Sequence, residues 1–380
     1  MKMITIVFTT GLLLATLASA APADMRLIEA VKAHDGAAAR TLIGQGVDVN
    51  AADGDGSTAL HWAASNGDAA LTDALLKAGA SVKVVTRIGG MSPLFLAAKA
   101  GNAQIVGSLL KAGASATESN ANGTTVLMIA ASSGNGPTVG VLLDAGADPN
   151  AKDVTNGQTA LMFAAARNSA DAVKLLLARK ADPSATTKVV ALKRVRVDAN
   201  GDPLPEGEPK PAAAAAQQER LPGVGFNKDG TPIQRSNDER VFGATVVGGM
   251  TALHFAAREG HVDAVRALLD GGADVNLVSG GEKTSPMVEA IINGHLDLAK
   301  FLLDHGADPK SANIDRLTAL YATIDMRWRH NTWYPQPTIE QEKTDYLAFM
   351  TQLLDRGADI NFRLARKLWF RKFRYGDDWV

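Results

Sequence analysis

The chain has 380 residues, with 39 Lys plus Arg against 40 Asp plus Glu and a formal net charge of −1, so its bulk charge does not suggest a polyanion-binding protein such as one that grips nucleic acid. It has no cysteine, which excludes disulfides, thiolate metal sites and a lipid anchor on cysteine, and leaves an exported form to be held by packing alone. Hydrophobic residues make up 46%, enough for a core, but Ala supplies much of that share and suits a stack of small interfaces better than one thick core.

The first segment in chain order carries an address. Lys2 is a short basic start, Ile4 to Leu17 is an apolar run broken only by Thr and Gly, and Ala18-Ser19-Ala20 is an A-x-A cleavage pattern. Residues 1–20 therefore read as a secretory signal peptide cleaved near Ala20, which predicts a periplasmic or secreted product. The alternative is an N-terminal membrane anchor; no later stretch is long enough to span a bilayer.

From residue 24 a repeat takes over. Residues 24–50 lack its opening phrase, but Leu42-Ile43, Gly46 and Asp48-Val49-Asn50 match its second half, as an N-terminal capping unit would. The full phrase appears at Thr58-Ala59-Leu60-His61-Trp62-Ala63-Ala64. It returns at Ser92-Pro93-Leu94, Thr125-Val126-Leu127, Thr159-Ala160-Leu161, Thr251-Ala252-Leu253-His254, Ser285-Pro286-Met287 and Thr318-Ala319-Leu320. Leu60, Leu94, Leu127 and Leu161 are separated by 34, 33 and 34 residues, and Leu253, Met287 and Leu320 by 34 and 33. A period of about 33 residues is the mark of a solenoid.

Each phrase predicts two helices. Thr58, Thr159 and Thr251 are placed to cap the first by accepting a backbone N–H. Gly67, Gly101, Gly134, Gly260 and Gly294 then end it in a left-handed turn. In the second helix Val265, Leu268 and Leu269 form an apolar stripe at i, i+3 and i+4. Lys180 and Arg316 stand where Gly is expected.

These phrases, in fixed order and phase over residues 24–183 and 248–361, resemble the ankyrin repeat. The resemblance implies an all-α solenoid of helix-turn-helix units with projecting β-turn fingers. It also implies protein–protein recognition without catalysis, through the fingers and first helices. By position in the repeat, it places Trp62, Arg87, Phe95, Lys99, Met162, Arg167, Phe255 and Arg258 among the partner-facing residues. It assigns His61 and His254 to bonding between neighbouring repeats. His261 and His295, each after a helix-ending Gly, occupy another place where such repeats often carry His.

Two interruptions break the period. Residues 184–247 form a Pro-, Ala- and charge-rich insert, with a penta-alanine at Ala212–Ala216, and most of it lacks the apolar content to order alone. Its Val189–Val197 stretch is β-rich, and the insert leaves from the finger side. The second, near 325–342, parts the helices of the last unit and carries Trp328, Trp333 and Tyr334 beside Arg327 and Arg329. That composition belongs to binding hot spots, or to a loop whose aromatics fold back on a neighbouring helix. Residues 362–380 alternate basic and aromatic side chains, as a connector to a further repeat or its truncated start. The final aromatics are alternatively the cap of the stack. Contact of 363–375 with a membrane surface is possible but not favoured.

No set of residues in the sequence supplies catalysis. There is no H-E-x-x-H pair, no G-x-S-x-G elbow and no P-loop. Asp148, Asp182, Asp274, Asp308 and Asp359 recur at one phase, as loop residues do. Asp53-Gly54-Asp55-Gly56 mimics a calcium loop but lacks the spaced Glu, and reads as a finger turn. The expectation is a monomeric, non-catalytic protein-binding scaffold with no cofactor, no metal and no nucleic acid. The alternative is an enzyme, or an enzyme subunit, whose site lies in the insert or in missing C-terminal sequence.

Overall fold

The computed structural model describes residues 24–191, 246–327 and 342–364. The expected signal peptide (residues 1–20), most of the insert, Trp328, Trp333, Tyr334 and most of the basic-aromatic end lie outside these residues. Among the described residues sixteen helices form eight hairpins, with one short two-stranded ladder. The chain divides into two units, residues 1–115 and 116–380.

The first unit holds α1 (Arg26–Lys32), α2 (Gly36–Gly44), α3 (Ala59–Asn66), α4 (Ala69–Lys77), α5 (Pro93–Lys99) and α6 (Ala103–Lys111). Its second helices open on side-chain caps: Asp35 accepts from Ala38 N, Asp68 from Leu71 N and Asn102 from Ile105 N, at 2.9, 2.9 and 3.0 Å. Each cap satisfies a donor that the helix itself leaves unpaired. Leu60, Leu75, Leu94 and Leu109 are fully buried between the hairpins, and Ala63, Ala64, Ala97 and Ala98 are small enough to let neighbouring helices approach.

The second unit holds α7 (Val126–Ser133), α8 (Gly136–Asp144), α9 (Ala160–Ala165), α10 (Ala170–Ala178), α11 (Ala252–Arg258), α12 (Val262–Asp270), α13 (Pro286–Ile292), α14 (Leu296–Asp304), α15 (Ala319–Arg327) and α16 (Tyr346–Asp355). The first Leu of every pair (Leu142, Leu176, Leu268, Leu302 and Leu353) is wholly removed from solvent. Burying such a side chain contributes about 1.5–3 kcal/mol. Lys180 and Arg316 adopt φ of 64° and 60°. The turn therefore imposes the left-handed conformation even where the sequence offers no Gly, at a cost of about 1–2 kcal/mol each.

Within each unit hydrogen bonds stitch neighbouring hairpins together. Asn150 accepts from Asp182 N (2.8 Å) and donates to Lys180 O (2.9 Å), and Asn276 does the same with Asp308 N (2.8 Å) and Gly306 O (3.0 Å). In the first unit Asn50 joins Ser81 N and Gly79 O in the same way. The fingers are rungs of one ladder: Val154 N donates to Asn122 O, Gly280 N to Gly249 O and Ile314 N to Glu282 O.

The long interruption does not break this stack. Across it, His261 Nδ1 donates to Ala165 O (3.2 Å) and Ala264 N donates to Asn168 Oδ1 (3.1 Å), so α11–α12 pack directly on α9–α10. Its two ends are zipped together as β1 (Val189–Ala191) and β2 (Val246–Gly248), antiparallel with Val189 opposite Gly248 and Ala191 opposite Val246. The zip needs Gly248 and Gly249: both have positive φ, and a Cβ on Gly248 would collide with the Lys188 carbonyl. The two described ends of the insert therefore leave the array side by side.

The second interruption returns through a reciprocal clamp. Glu342 accepts the Asp297 N–H at the start of α14 (2.6 Å), while Asp297 accepts from Lys343 N (3.1 Å) and Thr344 N (2.8 Å). His295, the N-cap of α14, provides no side-chain cap of its own, so the returning segment supplies one.

Candidate partner-binding face

The opening phrase divides its side chains between the stack and the solvent. In α3, Leu60, His61, Ala63 and Ala64 are buried, and Trp62 is half-buried at the helix edge. Equivalent edge positions are Leu96 on α5, Ile129 on α7, Phe163 on α9, Phe255 on α11 and Glu289 on α13. All are half-buried except Phe255, which is 7% exposed. Arg87, Lys99 and Arg167 are exposed and Arg258 is half-exposed.

The expected exposure fails at Phe95 and Met162, each 1% exposed, and Phe255 is nearly buried. Phe95 and Met162 occupy the third helical position, the one filled by His61 in α3. That side chain folds back toward the N-cap and into the stack. Leu96 and Phe163, one residue on, are the edge residues. Aligning Thr58-x-x-His61 with Ser92-x-x-Phe95 and Thr159-x-x-Met162 would have found them. Glu289 escaped notice for the same reason, since nothing in its own helix marks it as an edge residue.

His61 and His254 are structural. Thr58 N donates to His61 Nδ1 (3.1 Å), the Thr58 hydroxyl adds a bond to the same nitrogen (2.9 Å), and Nε2 donates to Met91 O in the next repeat (3.1 Å). His254 repeats this with Thr251 and with Thr284 O (3.0 Å). Both rings are neutral, because a ring nitrogen that accepts a backbone N–H carries no proton. Burial lowers the pKa of each, that of His254 to about 4.

In the first unit the face is built around Trp62. Lys32 lies 4.6 Å from the ring centroid and pairs with Asp53 at 2.9 Å. Burial opposes ionisation of Asp53, but bonds from Lys32 and from the Ser57 and Asp55 N–H groups outweigh it and hold the carboxyl below its ordinary value. The other carboxylate oxygen, Asp53 Oδ1, accepts from Asp55 N and Ser57 N (3.1 and 3.0 Å), so the Asp-Gly-Asp-Gly run is a finger turn. Arg87 on the next finger donates through its N–H to Asp55 O (2.7 Å) and through Nη1 to Gly54 O (3.2 Å). In the second unit Arg258 stacks on Phe255, 5.1 Å from the centroid, and pairs with Glu259 at 3.1 Å.

Among the described residues no group of three or more His, Asp and Glu side chains is placed to hold a metal ion. A polar cavity of about 410 Å³ lies by α10 and α12, lined by Ser169, Asp171, Lys174, Asp263 and Arg266, and the Ser169 hydroxyl donates to Gly134 O (2.9 Å). No described helix is long and apolar enough to cross a membrane.

A family model described as ankyrin repeats (3 copies) matches residues 27–120, 71–153, 94–187 and 229–313. No curated protein matches the chain. With this match over more than half of its length, and with the repeated hairpins and fingers just described, the chain belongs to the ankyrin repeat family, and its fold is an all-α repeat solenoid.

Proposed function

We propose that this ankyrin-repeat chain is an exported, non-catalytic scaffold that binds a protein partner through the finger and first-helix edge of its hairpins. Ankyrin repeats generally mediate protein–protein interaction. The observation that carries the reading is a single register: Trp62 and Leu96 in the first unit, and Ile129 and Phe163 in the second, are large apolar side chains left half-buried at the same position of successive first helices. Water covers these surfaces at a free-energy cost, and a partner that displaces it gains about 25 cal/mol per Å². Exposed basic residues, Arg87 and Lys99 in the first unit and Arg167 in the second, are of the polar kind that frames such patches.

Export rests on the basic start, apolar run and A-x-A pattern of residues 1–20. Fractionation with N-terminal sequencing tests it: a mature protein beginning at Ala21 outside the cytoplasm supports the reading, and an unprocessed cytoplasmic chain contradicts it. The binding role is tested by crosslinked pull-down with the wild type and with Leu96→Asp and Phe163→Asp variants that retain their melting transitions. A partner captured by the wild type and lost with either variant supports it. No partner, or one retained equally by both variants, contradicts it.

A further inference from the structure

The edge register is apolar on α7, α9 and α11 and then changes character on α13. Where the preceding helices carry Ile129, Phe163 and Phe255, α13 carries Glu289. A carboxylate half-buried in an apolar row is costly unless a cation or hydrogen-bond donors compensate it. The groups around it do not supply a paired cation. From α11, Arg258 is held by Glu259 (3.1 Å) and lies over Phe255, and Glu259 itself adds negative charge. From the neighbouring finger comes Glu282, a further acid whose charge is felt at Glu289. On its own helix edge Asn293 donates to the Glu289 backbone carbonyl (2.9 Å), and its amide is a hydrogen-bond donor that favours the ionised carboxyl without supplying a charge. Among the described residues no cationic nitrogen lies within 4.0 Å of the Glu289 carboxylate.

We infer that Glu289 is the specificity position of the second unit's binding edge, and that it receives a lysine or arginine side chain from an extended partner segment whose apolar residues cover Ile129 and Phe163. This rests on the binding role proposed above and names the partner's chemistry at that face. The spacing follows from geometry. Packed helices lie about 8–10 Å apart, and a chain in the polyproline II form advances about 3.1 Å per residue and returns to the same face every third residue. The partner therefore meets one hairpin every three residues or so, with its basic residue about six positions beyond the apolar one over Phe163. Burial raises the Glu289 pKa to about 7, and among its neighbours only Arg258 resists this by its charge. A docked cation restores the ionised form, so binding strengthens as pH rises from 6 to 8.

The test is a double-mutant cycle on the full chain with synthetic peptides. The probe is acetyl-Gly-Leu-Ser-Ser-Leu-Ser-Ser-Leu-Ser-Ser-Lys-Gly-amide, compared with versions carrying Gln or Glu in place of Lys. The expected result is that the Lys peptide binds the wild type about tenfold more tightly than the Gln peptide. That preference vanishes in Glu289→Gln and turns toward the Glu peptide in Glu289→Lys. If all three peptides bind the wild type equally, the role of Glu289 is overturned while the apolar edge remains a binding face. If none binds, or if Phe163→Asp leaves binding unchanged, the binding role of this face fails with it. Melting curves of the Glu289 variants guard against unfolding, and charge-swap rescue by Glu289→Lys is a readout that a purely structural role would not move.

Discussion

Helices α9 and α11 start from the same three residues, Thr159-Ala160-Leu161 and Thr251-Ala252-Leu253, and pack against each other, yet they are finished differently. In α11 the Thr251 hydroxyl and N–H meet His254, which passes the bond on to Thr284 of the next hairpin. In α9 the third position is Met162, and the buried Thr159 hydroxyl has no hydrogen-bond partner among the described residues. Their hairpins are nevertheless built alike, with Leu176 and Leu268 equally buried. The apolar layer thus sets the fold, and the polar stitching adjusts how firmly each repeat is held.

The largest expected effect tests the first half of that statement. Leu268→Ala and Leu176→Ala should each cost about 2–5 kcal/mol, since each opens a cavity between hairpins. Urea denaturation measures both, and a cost much smaller in the α9–α10 hairpin would mean that the apolar layer is not shared equally. His254→Ala comes next, at about 1–3 kcal/mol, because it strands the Thr284 carbonyl and the Thr251 N–H.

That histidine also sets a pH signature. Its folded pKa is about 4 against 6.5 for the free side chain. As pH falls from 6.5 to 4 the unfolded chain takes up a proton that the folded chain refuses, and stability drops by about 1.4 kcal/mol per unit. Glu289 runs the other way: with a folded pKa near 7 against 4.5, it stabilises the fold below 4.5 and loses that contribution as pH rises to 7. The two slopes oppose each other between pH 4.5 and 6.5. Denaturation across this window should show Glu289→Gln losing stability toward acid more steeply than the wild type. Equal slopes would show that Glu289 is not buried as described.

Smaller effects sharpen the contrast on the α9 side. Lys180 is held at φ 64° at the end of its hairpin, so Lys180→Gly should gain about 1 kcal/mol by removing the left-handed penalty. Met162→His should gain about 0.5–1 kcal/mol by giving Thr159 the partner that Thr251 already has. A loss in thermal unfolding would mean that Met162 is locked in the core by its size.

Much of this was legible in the residues. Spacing and turn chemistry identified the hairpins, the Gly positions held by Lys180 and Arg316, and the finger turn at Asp53, while the ankyrin resemblance supplied the bonding role of His61 and His254. The family model and the helical pairs bear out the ankyrin resemblance. The edge was read one residue out of phase at Phe95 and Met162, because a single helical position divides core from surface and the His that marks it is missing there. Leu96, Phe163 and Glu289 became visible only once burial was known. The clamp between Asp297 and Glu342 was beyond the sequence, since no local pattern reports a bond across 45 residues.

The central claim is that each hairpin buries its faces only against its neighbours, so the contacts of α9–α10 with α11–α12 need nothing from the insert between them. Replacing residues 192–245 with Asn-Gly, a two-residue turn suited to the β1–β2 register, tests this directly in a thermal melt followed by circular dichroism. The account predicts the same helical signal and a melting temperature within about 2 °C of the full chain. Loss of the cooperative transition would contradict it and make the insert part of the core.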